Sequence, residues 1–184
     1  GRIGLNPGTP TFATVLNKAG YRTGNYGKWH ALHQTRGPMK GDDTKLMPHF
    51  GFDDWMVRHW WGKDRDRGTN YWPSNVSYNG KQIPVQGKQF FGDMVAEYAC
   101  NFMKGRHDKP FVAYVNFTVP HTQFIAPNRK ELAEKHGWDE ETAGYVWLLE
   151  RLDKNVGTIL DCLREQGLER NTVVFFTSDN GGIN

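Results

Sequence analysis

The stretch Pro110-Phe111-Val112-Ala113-Tyr114-Val115-Asn116-Phe117, closing on Val119-Pro120-His121, decides how this chain folds. It is short, apolar and rich in β-formers, the signature of a parallel strand covered on both faces. Downstream, Tyr145, Leu148, Leu149, Leu152, Val156, Ile159, Leu160 and Leu163 recur at helical spacing, which predicts a helix over 140–166 with these residues as its buried stripe, stopped by Gly167. Asn171 to Thr177, with Val173-Val174-Phe175-Phe176 at its centre, then predicts a second buried strand. Strand, helix, strand in that order is a βαβ unit with a right-handed crossover.

Upstream, Thr9 caps and Pro10 opens a predicted helix carrying Phe12, Val15, Leu16 and Ala19, ended by Gly20. Tyr21 to Tyr26 is a predicted short strand that leads into Gly27-Lys28-Trp29-His30. Phe91, Met94, Val95, Tyr98 and Phe102 mark an amphipathic helix to about Lys104. Residues 31–89 have weak periodicity and read as a long decorated excursion with a small hairpin near Val76 to Ile83. The expected class is α/β, a mostly parallel sheet flanked by helices.

Composition narrows the function. The chain has 184 residues, 38% hydrophobic and 23% charged, which suits one domain with a real core. A net charge of +3 without a dense Lys/Arg block argues against a nucleic-acid partner, and no apolar run is long enough to span a membrane. Cys100 and Cys162 both fall in helical text and read as core thiols.

Three strand ends carry the polar chemistry. The first ends on Lys28 and His30, which project together because residues i and i+2 of an extended segment point the same way. The second ends on His121, and the third on Asp179 and Asn180, two hard oxygen donors of the kind calcium and magnesium take. Taken singly, each has an ordinary reading: a solvated lysine, a loop histidine, an Asn-Gly turn. Parallel strands put their carboxyl ends on one edge, where open α/β sheets build their sites. An ammonium, two imidazoles and a metal there suit chemistry on an anionic ester.

At these residues the chain resembles the sulfatase family of the alkaline-phosphatase-like superfamily. The resemblance runs through Thr14-Val15-Leu16, Ala19-Gly20-Tyr21-Arg22-Thr23, Gly27-Lys28-Trp29-His30 and Pro48-His49-Phe50-Gly51-Phe52-Asp53. It continues through Lys109-Pro110-Phe111 to Pro120-His121, Leu152-Asp153-Lys154-Asn155-Val156-Gly157, and Asn171-Thr172 to Ser178-Asp179-Asn180-Gly181. It implies that residues 1–184 belong to one sulfatase-like catalytic domain, and that Lys28 binds sulfate and the nucleophile. His30 would hydrogen-bond the nucleophile's hydroxyl, and His121 would contact the sulfate and assist the leaving oxygen. Asp179 and Asn180 would ligate calcium, with magnesium as the alternative. A sulfated small molecule or glycan is the implied substrate, and a periplasmic, secreted or lysosomal setting the implied location.

The departures are as informative. The family's nucleophile is a formylglycine made in a Cys/Ser-x-Pro-x-Arg motif, and neither Cys100-Asn-Phe-Met nor Cys162-Leu-Arg-Glu fits it. The paired N-terminal aspartates and the lysine beyond Asp-Asn-Gly are also unmatched. The family often has Leu-Gly where this chain has Ala31-Leu32, and Pro two residues after the central histidine, where this chain has its next Pro at 127. The resemblance therefore implies an internal portion of a sulfatase, with the formylglycine upstream and the rest of the catalytic domain as its partner. A phosphonate or phosphate ester hydrolase of the same superfamily, and a non-catalytic anion-binding remnant, are the competing readings. In the excursion, Trp55, Trp60, Trp61, Tyr71 and Trp72 alternate with Arg58, Lys63, Arg65 and Arg67. They suit either a sulfated sugar or simple packing of an irregular loop. Residues 1–184 alone are expected to lack sulfatase activity; ester turnover by this purified chain that Lys28→Ala abolishes would overturn that expectation.

Overall fold

In a computed structural model, residues 5–6, 8–29, 43–58, 71–105 and 108–181 are described. The elements in order are α1 (Phe12–Lys18), β1 (Arg22–Gly27), a 3-10 helix (Asp43–Phe50), β2 (Asp54–Val57), β3 (Asn75–Tyr78), β4 (Lys81–Pro84) and α2 (Phe91–Lys104). Then come β5 (Phe111–Asn116), α3 (Arg129–His136), α4 (Glu140–Glu165) and a 3-10 turn (Glu169–Asn171). The sheet is mixed, in the order β4-β3-β2-β1-β5. β1 is parallel to β2 and to β5, while β2–β3 and β3–β4 are antiparallel. By these pairings β3 alone runs against the others.

Strand alternation sorts β1 onto two faces. Tyr26 joins Met56, Val95, Phe102 and Leu163 in a core between the sheet, α2 and α4. The Arg22 guanidinium lies 4.7 Å above the Phe102 ring. On the opposite face, Ala13, Met47, Phe50, Phe52, Trp55 and Val57 form a second core beneath α1 and the 3-10 helix.

Polar side chains tie these layers. Asp53 accepts from the Asn17 amide at 2.8 and 2.9 Å and from the Thr23 N–H at 3.1 Å. The Thr23 hydroxyl donates to the Gly51 carbonyl at 2.5 Å. Asp54 accepts from the Tyr26 hydroxyl at 2.6 Å, the Tyr78 hydroxyl at 3.1 Å and the Asn79 amide at 2.9 Å. Burial, and then the hydrogen bond to Asp54, push the Tyr26 phenol far above its ordinary range, so it remains a donor. The predicted hairpin is present as β3 and β4, and its turn, Asn79-Gly80, takes positive φ at both residues.

Several expectations need correction. The cap of α1 is Thr11, not Thr9: its hydroxyl accepts from the Thr14 N–H at 3.1 Å and donates to the Phe50 carbonyl at 2.7 Å. Along α4 the buried line is Ala143, Gly144, Leu148, Asn155, Cys162 and Leu163, whereas Leu149 and Leu160 are exposed because they lie beside the face that meets α2. β5 is half-buried rather than covered, and among the described residues it is an edge strand paired with β1 alone. The predicted strand Asn171–Thr177 is not in the sheet. Val173 is 78% and Phe175 89% exposed, and the segment pairs with no described strand, although the outer edge of β5 is open among the described residues.

Gly27 fixes where β1 ends against β5. Its φ is +113°, and a Cβ there would lie 2.1 Å from the Asn116 carbonyl oxygen. Gly27→Ala is expected to destabilise the full-length protein by about 3 kcal/mol, read from a denaturant midpoint, since strain and a backbone clash add. A wild-type midpoint would refute this account of the strand end.

Cys100 and Cys162 are free thiols buried between α2 and α4, as expected of core cysteines. Cys162 Sγ donates to the Cys100 carbonyl at 3.7 Å and Cys100 Sγ to the Thr158 carbonyl at 3.7 Å. Burial, then the neighbouring Cys162, push the Cys100 thiol up to about 12. The unfolded thiol ionises near 8.5. The neutral thiol therefore favours the folded state below that pH, and its contribution is lost as pH rises toward 12. Stability is expected to fall across that window, less so in Cys100→Ala; identical slopes in both proteins would contradict the assignment.

Candidate active site

The carboxyl ends of β1 and β5 meet at one edge. Their register runs Arg22 opposite Phe111 to Gly27 opposite Asn116. The ladder continues one step further, with the Lys28 N–H donating to the Asn116 carbonyl at 2.9 Å. Two of the three predicted strand ends are thus adjacent. Lys28 is half-buried, and Trp29 beside it packs against Phe50 and Phe52 at centroid distances of 5.8 and 5.5 Å. His30 lies outside the described residues, as do Trp60, Trp61, Lys63, Arg65 and Arg67.

His121 follows β5 on an exposed loop. Its N–H donates to the Thr118 carbonyl at 3.0 Å. Its own carbonyl accepts from the Tyr71 hydroxyl at 2.5 Å. The imidazole Nδ1 lies 3.3 Å from the Thr122 hydroxyl and 3.3 Å from the Thr122 carbonyl. Beneath the loop, Tyr71, Phe90, Val119 and Leu148 form a third core. Arg151, from α4, lies 5.2 Å over Phe90 and 5.7 Å over Trp147 and is ion-paired to Asp93. Buried Asn25 and half-buried Asn116 form an amide pair on the sheet, the Asn116 amide donating to Asn25 Oδ1 at 3.0 Å.

The excursion's described aromatics are mainly packing groups. Trp55 is buried in the core under α1, and Tyr71 in the one under His121. The importance of Tyr71 has no local signal in the sequence, since it rests on a partner 50 positions away.

Asp179 and Asn180 are exposed, and the hydrogen bonds of their segment are local. Ser178 Oγ donates to the Asn180 carbonyl at 2.6 Å and the Asn180 amide to the Gly181 carbonyl at 2.8 Å. Their carboxylate and amide oxygens suit a hard divalent cation, but calcium takes six to eight oxygens. Among the described residues no group of three His, Cys, Asp or Glu could hold a metal. The pair fits as part of a donor set.

The sulfatase family model matches residues 2–183, and the chain belongs to the sulfatase family. It is 27% identical over 191 residues to the uncharacterized sulfatase YdeN of Escherichia coli K12, covering 96% of this chain and 34% of that protein. It is 28% identical over 193 residues to an arylsulfatase of Hemicentrotus pulcherrimus, covering 98% of this chain and 33% of that one. The chain thus spans about a third of the length of the curated relatives it matches. A structure of BT4656 with its substrate D-glucosamine-2-N,6-O-disulfate aligns with a TM-score of 0.66 at 17% identity, covering 92% of this chain and 49% of that one. That likeness is one of fold, the alkaline-phosphatase-like arrangement of α/β layers.

Proposed function

We propose that this chain forms part of a sulfuric ester hydrolase acting on a sulfated carbohydrate or aryl sulfate. The observation that carries the reading is the junction of β1 and β5, where Lys28 is locked beside the strand that delivers His121, in a chain of the sulfatase family.

A sulfate monoester is a stable anion, and breaking its S–O bond leaves negative charge on the departing oxygen. In this reading the Lys28 ammonium binds the sulfate oxygens and offsets their charge in the transition state. His121 hydrogen-bonds or protonates the departing oxygen. His30 engages the nucleophile's hydroxyl, the nucleophile being the formylglycine expected outside this chain. Asp179 and Asn180 contribute oxygens to a divalent metal, calcium or magnesium. When bound, that metal adds Lewis-acid stabilisation of the sulfate. The sugar half of the substrate class is supported by the sulfated glucosamine that BT4656 takes.

The test is turnover by the full-length protein of an aryl sulfate, sulfated saccharides and the matched phosphate ester. Sulfate esters are expected to be preferred, with Lys28→Ala and His121→Ala each lowering kcat/KM by roughly 10²-fold or more. Asp179→Ala is expected to raise the calcium needed for half-maximal rate. Faster phosphate turnover would transfer the site to the phosphoesterase reading. Undiminished rates in Lys28→Ala would reject this one.

A further inference from the structure

We propose that Tyr71 is a positioning residue for His121, its phenol holding the main chain that carries the imidazole. The proposal rests on the reading of His121 as a site residue and names the device that places it.

Tyr71 is 1% exposed and fixed from three sides. Its carbonyl accepts from the Phe91 N–H at 2.7 Å, which satisfies one of the free donors at the start of α2. Phe90, at the cap position, supplies no side-chain bond there. The Tyr71 ring stacks on Phe90 at 6.0 Å and 26°, and Trp72 stands edge-on to it at 5.9 Å. From this anchored ring the hydroxyl reaches the His121 carbonyl at 2.5 Å.

The His121 side is built to need such an anchor. The residue is exposed, so packing does not hold its ring. Its position comes from the main chain: the Thr118 turn from one direction, the Tyr71 hydroxyl from the other. Val119, two residues earlier, is buried in the core that contains Tyr71. Burial pushes the Tyr71 phenol up to about 12, so the hydroxyl stays a donor through the neutral range. A group that only filled space would not need the oxygen, and Phe would serve equally well in the same aromatic cluster.

The experiment compares wild type, Tyr71→Phe, His121→Ala and the double variant in the full-length protein, by steady-state kinetics and melting curves. Tyr71→Phe keeps the ring and loses the anchor. It is expected to lower kcat about tenfold with KM within about twofold, as misplacement of a reacting group does. Its melting temperature should stay within about 4 °C of wild type, since one hydrogen bond is removed. In the His121→Ala background the same change should have no further effect on kcat. Wild-type kcat in Tyr71→Phe, an equal loss in the His121→Ala background, or a loss matched by the folded fraction would each overturn the proposal while His121→Ala itself remains impaired. Full activity of His121→Ala would instead bring down the reading of the site, and the positioning role with it.

Discussion

A single main-chain hydrogen bond, from the Lys28 N–H to the Asn116 carbonyl, sets the geometry on which the proposed site depends. It extends the β1–β5 ladder one residue past the end of β1 and commits Lys28 to the edge from which the His121 loop departs. The approach is close enough that residue 27 has no room for a side chain. The carbonyl already serves the ladder, so Lys28 cannot move without breaking a bond in a half-buried setting, where an unpaired group costs about 1–3 kcal/mol.

The acidic residues divide by task. Asp53 and Asp54 lie close to β1, yet both are saturated by donors from the scaffold: Asn17 and Thr23 in one case, Tyr26, Tyr78 and Asn79 in the other. Carboxylates so engaged stitch helix, sheet and hairpin together and have little capacity left for a ligand. Asp179 has no such set of scaffold donors described, which is consistent with the ligand role proposed for it.

The sequence made β1, β5, α2 and α4 legible because each carries its own periodicity or apolar run within a single segment. β2 was not legible, since its four residues owe their strand character to pairing with β1 across a long insertion. Nor was α3, whose run Arg129–His136 buries only Ala133 and has almost no apolar face to read. Leu149 and Leu160 misled for the opposite reason: apolar residues mark a face wider than the one α2 covers. Val173–Phe176 shows the same limit for strands. Its apolarity expresses a need for burial, but pairing is a property of two segments, and no described segment meets it. Of the proposed site, Lys28 and His121 could be named from their strand ends, whereas Tyr71 carried no signal because its hydroxyl's acceptor is 50 residues away.

Lys28 and His121 share one design, in which the main chain does the fixing. Lys28 is anchored by its N–H, and His121 by its N–H and its carbonyl. His121 is exposed and is proposed to meet an anion, and a side chain saturated by structural partners, as Asp53 and Asp54 are, would lose capacity for a ligand. Anchoring the backbone avoids that conflict and limits the conformational entropy lost when a ligand binds. It also explains why a densely aromatic core lies beneath an exposed loop. Phe90, Trp72 and Trp147 give the Tyr71 ring a rigid seat, with centroid separations of 5.4 to 6.3 Å among them. A hydrogen bond can position a loop only as well as its donor is itself held. The aromatic residues Tyr71 and Trp72 of the excursion thus support the proposed site from below, through the main chain of His121.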